Sequence, residues 1–134
     1  MTDPLTATMT FTNWDETPGF GPDAPLPRLA HADVAFAYSG ALQATSACHY
    51  VLSYGTDGSG EGLGYETVSG RREATGEEGT FVLRHESRFG PDGVDTDVTV
   101  VAGSGTGGFS DLSGAGHFAI GHGTQEWPWA LEAA

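Results

Sequence analysis

Lysine is absent from this chain of 134 residues, and its five basic residues are all arginine. Against 18 acidic residues they leave a net charge of −13. A nucleic-acid-binding protein needs a basic footprint to neutralise phosphates, and this chain carries the opposite sign. An anionic membrane surface is disfavoured for the same reason. Cysteine is nearly as scarce. The lone Cys48 excludes an internal disulfide framework and any multi-cysteine metal site. Apolar runs last only a few residues, so no bilayer-spanning helix is expected. Met1-Thr2-Asp3-Pro4 has neither a basic flank nor an apolar stretch. No signal peptide is therefore expected, and the cytoplasm is the default location. No stretch holds apolar residues at i, i+3, i+4 and i+7 over three turns, which argues against a long amphipathic helix. Internal repeats are missing too, and the length suits one domain, 1–134, around one core.

Glycine is what the chain has in excess, 21 of 134 residues, about twice ordinary usage. Such an excess fits either disorder or a tightly turned β protein, and the segments between the glycines decide for the second. They are rich in Thr, Val, Phe, Tyr and Trp, which favour strands. Thr8-Met9-Thr10-Phe11-Thr12 and Asp95-Thr96-Asp97-Val98-Thr99 alternate with period two. The pattern predicts strands over about 5–14, 28–38, 41–54, 62–69, 80–89, 94–101, 117–121 and 125–131. Between them lie a Pro/Gly-rich connection over 17–27, turns at 39–40, 56–60 and 91–93, and a charged loop over 70–79. Phe109-Ser110-Asp111-Leu112 is read as one helical turn. Eight short antiparallel strands imply an all-β fold, a closed barrel or a sandwich. On the third strand Cys48, Tyr50 and Leu52 alternate with Ala47, His49 and Val51. Two apolar faces suggest a covered exterior, and partner subunits in a homo-oligomer are the simplest cover.

Several motifs are weaker than they look. Gly103-Ser-Gly105-Thr-Gly107-Gly108 contains GxGxxG, but the dinucleotide fingerprint also needs a βαβ unit around it, so a structural turn is the better reading. Asp57-x-Ser59-x-Glu61-Gly62 opens like a calcium loop, yet its twelfth position is Val68 rather than a bidentate Glu. His31, His49, His85, His117 and His122 show no ligand spacing among themselves or with Cys48, and no metal is expected. A nucleophilic serine has no support, since there is no GxSxG. Cys48 reads as a core thiol.

Glu66 and His85 are the candidate catalytic residues. A hairpin centred on the 70–79 loop places Glu66 opposite Leu83, with His85 its diagonal neighbour on the same face. Phe81, Leu83 and His85 share that face, while Val82, Arg84 and Glu86 point the other way. A carboxylate and an imidazole turned inward are suited to proton exchange with a ligand. The alternative is a structural pair, or a register slipped by one in which Glu66 meets Arg84. Trp14, Tyr50, Tyr54, Phe81, Leu83, Trp127 and Trp129 are the candidate ligand-binding walls. Trp127 and Trp129 lie on one face of the last strand, as barrel core or as pocket lining. Among the glycines, Gly58, Gly60, Gly90 and Gly93 are read as hairpin turns with positive φ. Gly64, inside a strand near Glu66, marks either a bulge or room for a ligand.

The segment from Gly103 to Gly116, with Phe109, Leu112 and its glycines, resembles the GTGxFxxLxGxG segment of the allene oxide cyclase and dirigent barrels. More closely, the chain resembles an uncharacterised bacterial barrel group, domain of unknown function 3224. The ordered features are Trp14-Asp15-Glu16, Asp57-Gly58-Ser59, Gly64-Tyr65-Glu66-Thr67-Val68-Ser69-Gly70, Gly79-Thr80-Phe81-Val82-Leu83-Arg84-His85 and the glycine segment. The resemblance covers roughly residues 5 to 121. It implies an eight-stranded antiparallel barrel that holds an apolar small molecule, often in an oligomer, without an organic cofactor. Two departures stand out: Arg84 replaces a neutral amide common in the group, and the 17–27 connection is unusually Pro-rich, as a lid could be. Together these observations predict a cofactor-independent isomerase or cyclase for an apolar unsaturated molecule. The alternative is a binding barrel without chemistry.

Overall fold

β-Branched and aromatic side chains at every second position suit a pleated surface with one buried face. The computed structural model describes residues 5–17, 25–121 and 124–132. They form β1 (Leu5–Thr17), β2 (Arg28–Gly40), β3 (Leu42–Tyr54), β4 (Gly60–Arg72), β5 (Glu78–Gly90), β6 (Gly93–Val100), β7 (Ala115–Ile120) and β8 (Glu126–Leu131). The sheet order is β7-β6-β5-β4-β3-β2-β1-β8, with antiparallel neighbours throughout. Its two ends meet where Ala115 and Glu132 exchange backbone hydrogen bonds of 3.0 and 2.9 Å. The chain is thus all-β, a nearly closed barrel of eight strands. Residues 18–24 of the Pro/Gly-rich connection, where a lid was expected, lie outside the described residues, as do His122 and residues 1–4.

The strands run longer than their alternation alone suggested. β1 continues to Thr17 because a register shift between Phe11 and Asn13 inserts Thr12 as a bulge. The extra residue flips the phase of the strand. Trp14 and Glu16 then pair with Val34 and Ala32, which are buried, whereas an unbroken period would have turned Asn13 and Asp15 inward. β4 and β5 pair from Gly60–Phe89 down to Arg71–Glu78, so both ends of the charged loop are ladder.

One end of the barrel is plugged. The 3-10 turn, Gly107–Phe109, begins two residues before the expected 109–112 turn and runs into it, where Leu112 N donates to the Phe109 carbonyl at 3.0 Å, and it carries Phe109 into the interior. Phe109 is fully buried, its ring 5.0 Å from that of Phe81. Burying a side chain of that size contributes about 1.5–3 kcal/mol. The crossover also covers part of β5 that β6 does not reach. Ser104 and Thr106 hydroxyls accept from the Val82 and Thr80 amides, each at 3.0 Å, in place of a neighbouring strand. Close approach is what requires glycine here: a Cβ on Gly79 would lie 2.0 Å from the Thr106 carbonyl oxygen.

The inward file of β4 reads Gly60, Gly62, Gly64, Glu66, Val68, Gly70. Gly64 is neither a bulge nor ligand space. Its ladders to β3 and β5 are unbroken, and its missing side chain is replaced by the Tyr50 ring, 2.7 Å from where a Cβ would be. Gly62 makes the same room for Leu52. Gly58 and Gly93 do adopt positive φ, 84° and 129°. Gly60 and Gly90 do not, and they pair with Tyr54 and Gly93 in the ladders. We expect Gly64→Ala to lower unfolding stability by about 1–3 kcal/mol through overpacking against Tyr50. The urea midpoint measures this, and an unchanged midpoint would show that the Tyr50 ring and the His49 carbonyl oxygen, 2.6 Å from the same point, both yield freely.

Candidate functional site

Register sets the centre of the barrel. Glu66 pairs with Leu83 and Gly64 with His85, the hairpin arithmetic expected from the 70–79 loop. The slipped register is excluded, because Arg84 faces outward against Glu86. Both Glu66 and His85 are 0 % exposed. His85 Nε2 lies 2.6 Å from Glu66 Oε1, and Ser46 donates to Oε2 at 2.5 Å. Tyr38 donates to the same oxygen in a short hydrogen bond. Three donors from β2, β3 and β5 thus converge on one buried carboxylate of β4. Such convergence is what a buried carboxylate needs to offset its lost hydration.

The network continues through His85. Its Nδ1 lies 3.0 Å from the Tyr50 hydroxyl. With Nε2 donating to Glu66 and Nδ1 bare, His85 accepts the Tyr50 proton; with hydrogens on both nitrogens, it donates to Tyr50 and frees the phenolic O–H. Burial raises the pKa of Tyr50 well above the ordinary value, with smaller contributions from Cys48 and Glu66. Tyr38 is raised by burial first and then by Glu66. The Cys48 thiol, buried in the core as expected, is raised by the same two causes. All three therefore remain protonated donors at neutral pH.

Above this layer the barrel is hollow. A cavity of about 540 Å³ opens at the end away from Phe109, within the roughly 300–1,000 Å³ range of small-molecule sites. Trp14, Tyr50, Tyr54 and Trp127 line it, as expected from the sequence. Trp14, half exposed, stacks on Tyr50 at 6.1 Å and donates its indole N–H to Glu16 at 3.2 Å. Glu16 also binds Arg28 at 3.0 Å and accepts from the Tyr54 hydroxyl at 2.8 Å. This cluster braces the mouth; burial first and then Glu16 raise the Tyr54 phenol, against the opposing charge of Arg28. Asp57 and Ser59 complete the rim in a turn where Ser59 N donates to Asp57 Oδ1 at 2.9 Å. The calcium-like string is therefore a capped hairpin turn.

Three expected wall residues lie elsewhere. Phe81 and Leu83 are fully buried in the plugged half, Phe81 against Phe109. Trp129 lies two residues further along β8 than Trp127, which carries it roughly 6–7 Å along the strand. There it meets Tyr38 edge-on at 5.0 Å, outside the cavity. Glu66 and His85 also lie outside the cavity lining, and Tyr50 is the network member that belongs to both. Phe11, Phe36, Phe89, Phe118 and the Ser87–Thr96 pair are walls that the sequence reading missed. The turn at 91–93 held the signal for the last two. It pairs Gly90 with Gly93, and counting back along both strands sets Ser87 against Thr96.

This geometry defines an eight-stranded antiparallel barrel with a plug at one end, an aromatic cavity at the other and an acid–base network between. The family model described as protein of unknown function (DUF3224) matches residues 5–130, and the chain belongs to that family. It is similar to a solved protein with unknown function from the DUF3224 family of Shewanella oneidensis MR-1. The two share 21 % identity over 98 % of this chain and 99 % of that one, with a TM-score of 0.71. At that identity the likeness is one of fold. No curated protein matches the chain.

The raised pKa values of Tyr38, Cys48 and Tyr50 fix a sign for the pH dependence, and that of Tyr54 adds to it. The unfolded chain loses protons from thiol and phenols near 9.0 and 10.0, while the folded chain keeps them. Stability is then full below about pH 9 and falls as the pH rises through the alkaline range, by about 1.4 kcal/mol per pH unit for each group involved. Urea midpoints between pH 7 and 11 measure the slope. Cys48→Ala should make it shallower, starting near pH 9.

Proposed function

We propose that the chain is a cofactor-independent isomerase or cyclase that holds an apolar, unsaturated small molecule in the aromatic cavity. The observation that carries this reading is the double membership of Tyr50, a cavity wall residue whose hydroxyl ends the buried Glu66–His85 chain. A phenol kept protonated by its surroundings is suited to polarise a carbonyl or epoxide oxygen rather than to act as a base. His85 orients it and Glu66 orients His85, so both are positioning residues. The stacked Trp14 and the walls from Phe36, Phe118 and Trp127 fold the substrate and exclude water. The resemblance to the allene oxide cyclase barrels, where shape does most of the chemistry, favours the same reading as analogy.

A second reading, a binding barrel without chemistry, draws support from the complete burial of Glu66 and His85 behind the wall. Tyr50→Phe separates the two, because it keeps the ring and removes the hydroxyl. The probe reaction is the intramolecular Diels–Alder cyclisation of the enone 1,7,9-decatrien-3-one, which moves no proton and is assisted by polarising its carbonyl, read by loss of ultraviolet absorbance. Tyr50→Phe should lower turnover about 10²- to 10³-fold and leave fluorene binding unchanged. A native chain that binds fluorene but converts no enone would establish the binding reading instead.

A further inference from the structure

The cavity wall contains one polar feature that the proton network does not use. Ser87 of β5 and Thr96 of β6 are paired in register, both point inward, and their hydroxyl oxygens lie 2.9 Å apart. Both residues are buried, at 8 % and 2 % exposure, and both line the cavity. Their neighbours are apolar: Gly62 pairs with Ser87, Phe118 pairs with Thr96, and Phe89 and Val94 follow towards the mouth.

Proton counting makes the pair incomplete. Two hydroxyls hold two protons, and their mutual bond uses one. Neither oxygen has another hydrogen-bond partner among the described residues. One O–H therefore remains to donate, inside a wall of aromatic and aliphatic groups. A buried hydroxyl donor left unmatched costs about 1–3 kcal/mol. Water entering through the open mouth reaches that proton only by wetting a wall that is otherwise aromatic and aliphatic. An oxygen carried on an apolar body accepts the proton and fills the cavity at once.

We propose that Ser87 and Thr96 form a polar anchor that selects ligands bearing an acceptor oxygen, a carbonyl or ether, on an otherwise apolar frame. This deepens the cavity reading above and rests on it. Substrate would then be held at two points, by the anchor on the β5–β6 wall and by Tyr50 on β3. Two fixed points orient a molecule that stacking alone would leave free to turn.

The test uses fluorenone and fluorene, which differ by a carbonyl against a methylene, with affinities measured by equilibrium dialysis. The comparison is between the native chain and the double variant Ser87→Ala/Thr96→Val. Replacing both partners of a buried pair by apolar groups of similar shape is close to neutral for folding. The fluorenone-to-fluorene affinity ratio should fall about 3- to 10-fold in the variant, the worth of one neutral hydrogen bond. Dividing one ratio by the other removes the different hydration of the two probes. A ratio that is unchanged while both probes bind overturns the anchor and leaves the cavity reading standing. Binding of neither probe to the native chain overturns both.

Discussion

The carboxylate of Glu66 is the interaction on which the rest of the barrel depends. It is buried completely, so each of its hydrogen bonds has to be supplied by the protein. Tyr38, Ser46 and His85 supply them from three other strands. One side chain therefore ties β2, β3, β4 and β5 together at a single depth. Its charge also reaches Tyr38, Tyr50 and Cys48, where it adds to burial in holding their protons. Moving any of these strands by one residue would remove a donor and leave charge uncompensated. The network thus acts as a register lock whether or not it also serves chemistry.

That layer divides the interior into two unlike halves. Below it Phe81, Leu83 and Phe109 fill the barrel, and the glycine-rich crossover seals the end by lying closer to β5 than any side chain would permit. Above it the glycines of β4 serve another purpose. Gly62 and Gly64 leave space that Leu52 and Tyr50 occupy from the next strand. The side chains of β3 lean over β4, and the open half keeps its volume. Glycine excess in this chain is spatial more than conformational.

The mouth depends on the Thr12 bulge. One inserted residue turns Trp14 and Glu16 inward, and Glu16 then gathers Trp14, Arg28 and Tyr54. An ion pair with about a tenth of each side chain exposed is screened less than a surface pair and fixes side chains better. The rim is therefore held by polar bonds and the walls by aromatic packing. An open, rigid, mostly apolar cavity follows from that division of labour.

Much of this architecture is legible in the sequence. Alternation in the strands and turn residues between them predict eight strands, and counting outward from the 70–79 loop places Glu66 beside His85 on the inner face. The same counting around 91–93 pairs Ser87 with Thr96, although the oxygen of each acquires meaning only from its apolar surroundings. Period two decides whether a side chain points in or out, and it treats Phe81, His85 and Phe89 alike. Depth along the barrel is different. It is set by strand tilt, by closure between Ala115 and Glu132, and by the plug from Phe109, all contacts between residues far apart in the chain. For that reason the sequence by itself counts Phe81, Leu83 and Trp129 among the ligand walls, although period two shows only that they face inward. Only the closed barrel decides that those three are packing, and that Tyr50, bonded to His85 on one side and open to the cavity on the other, joins the network to the site.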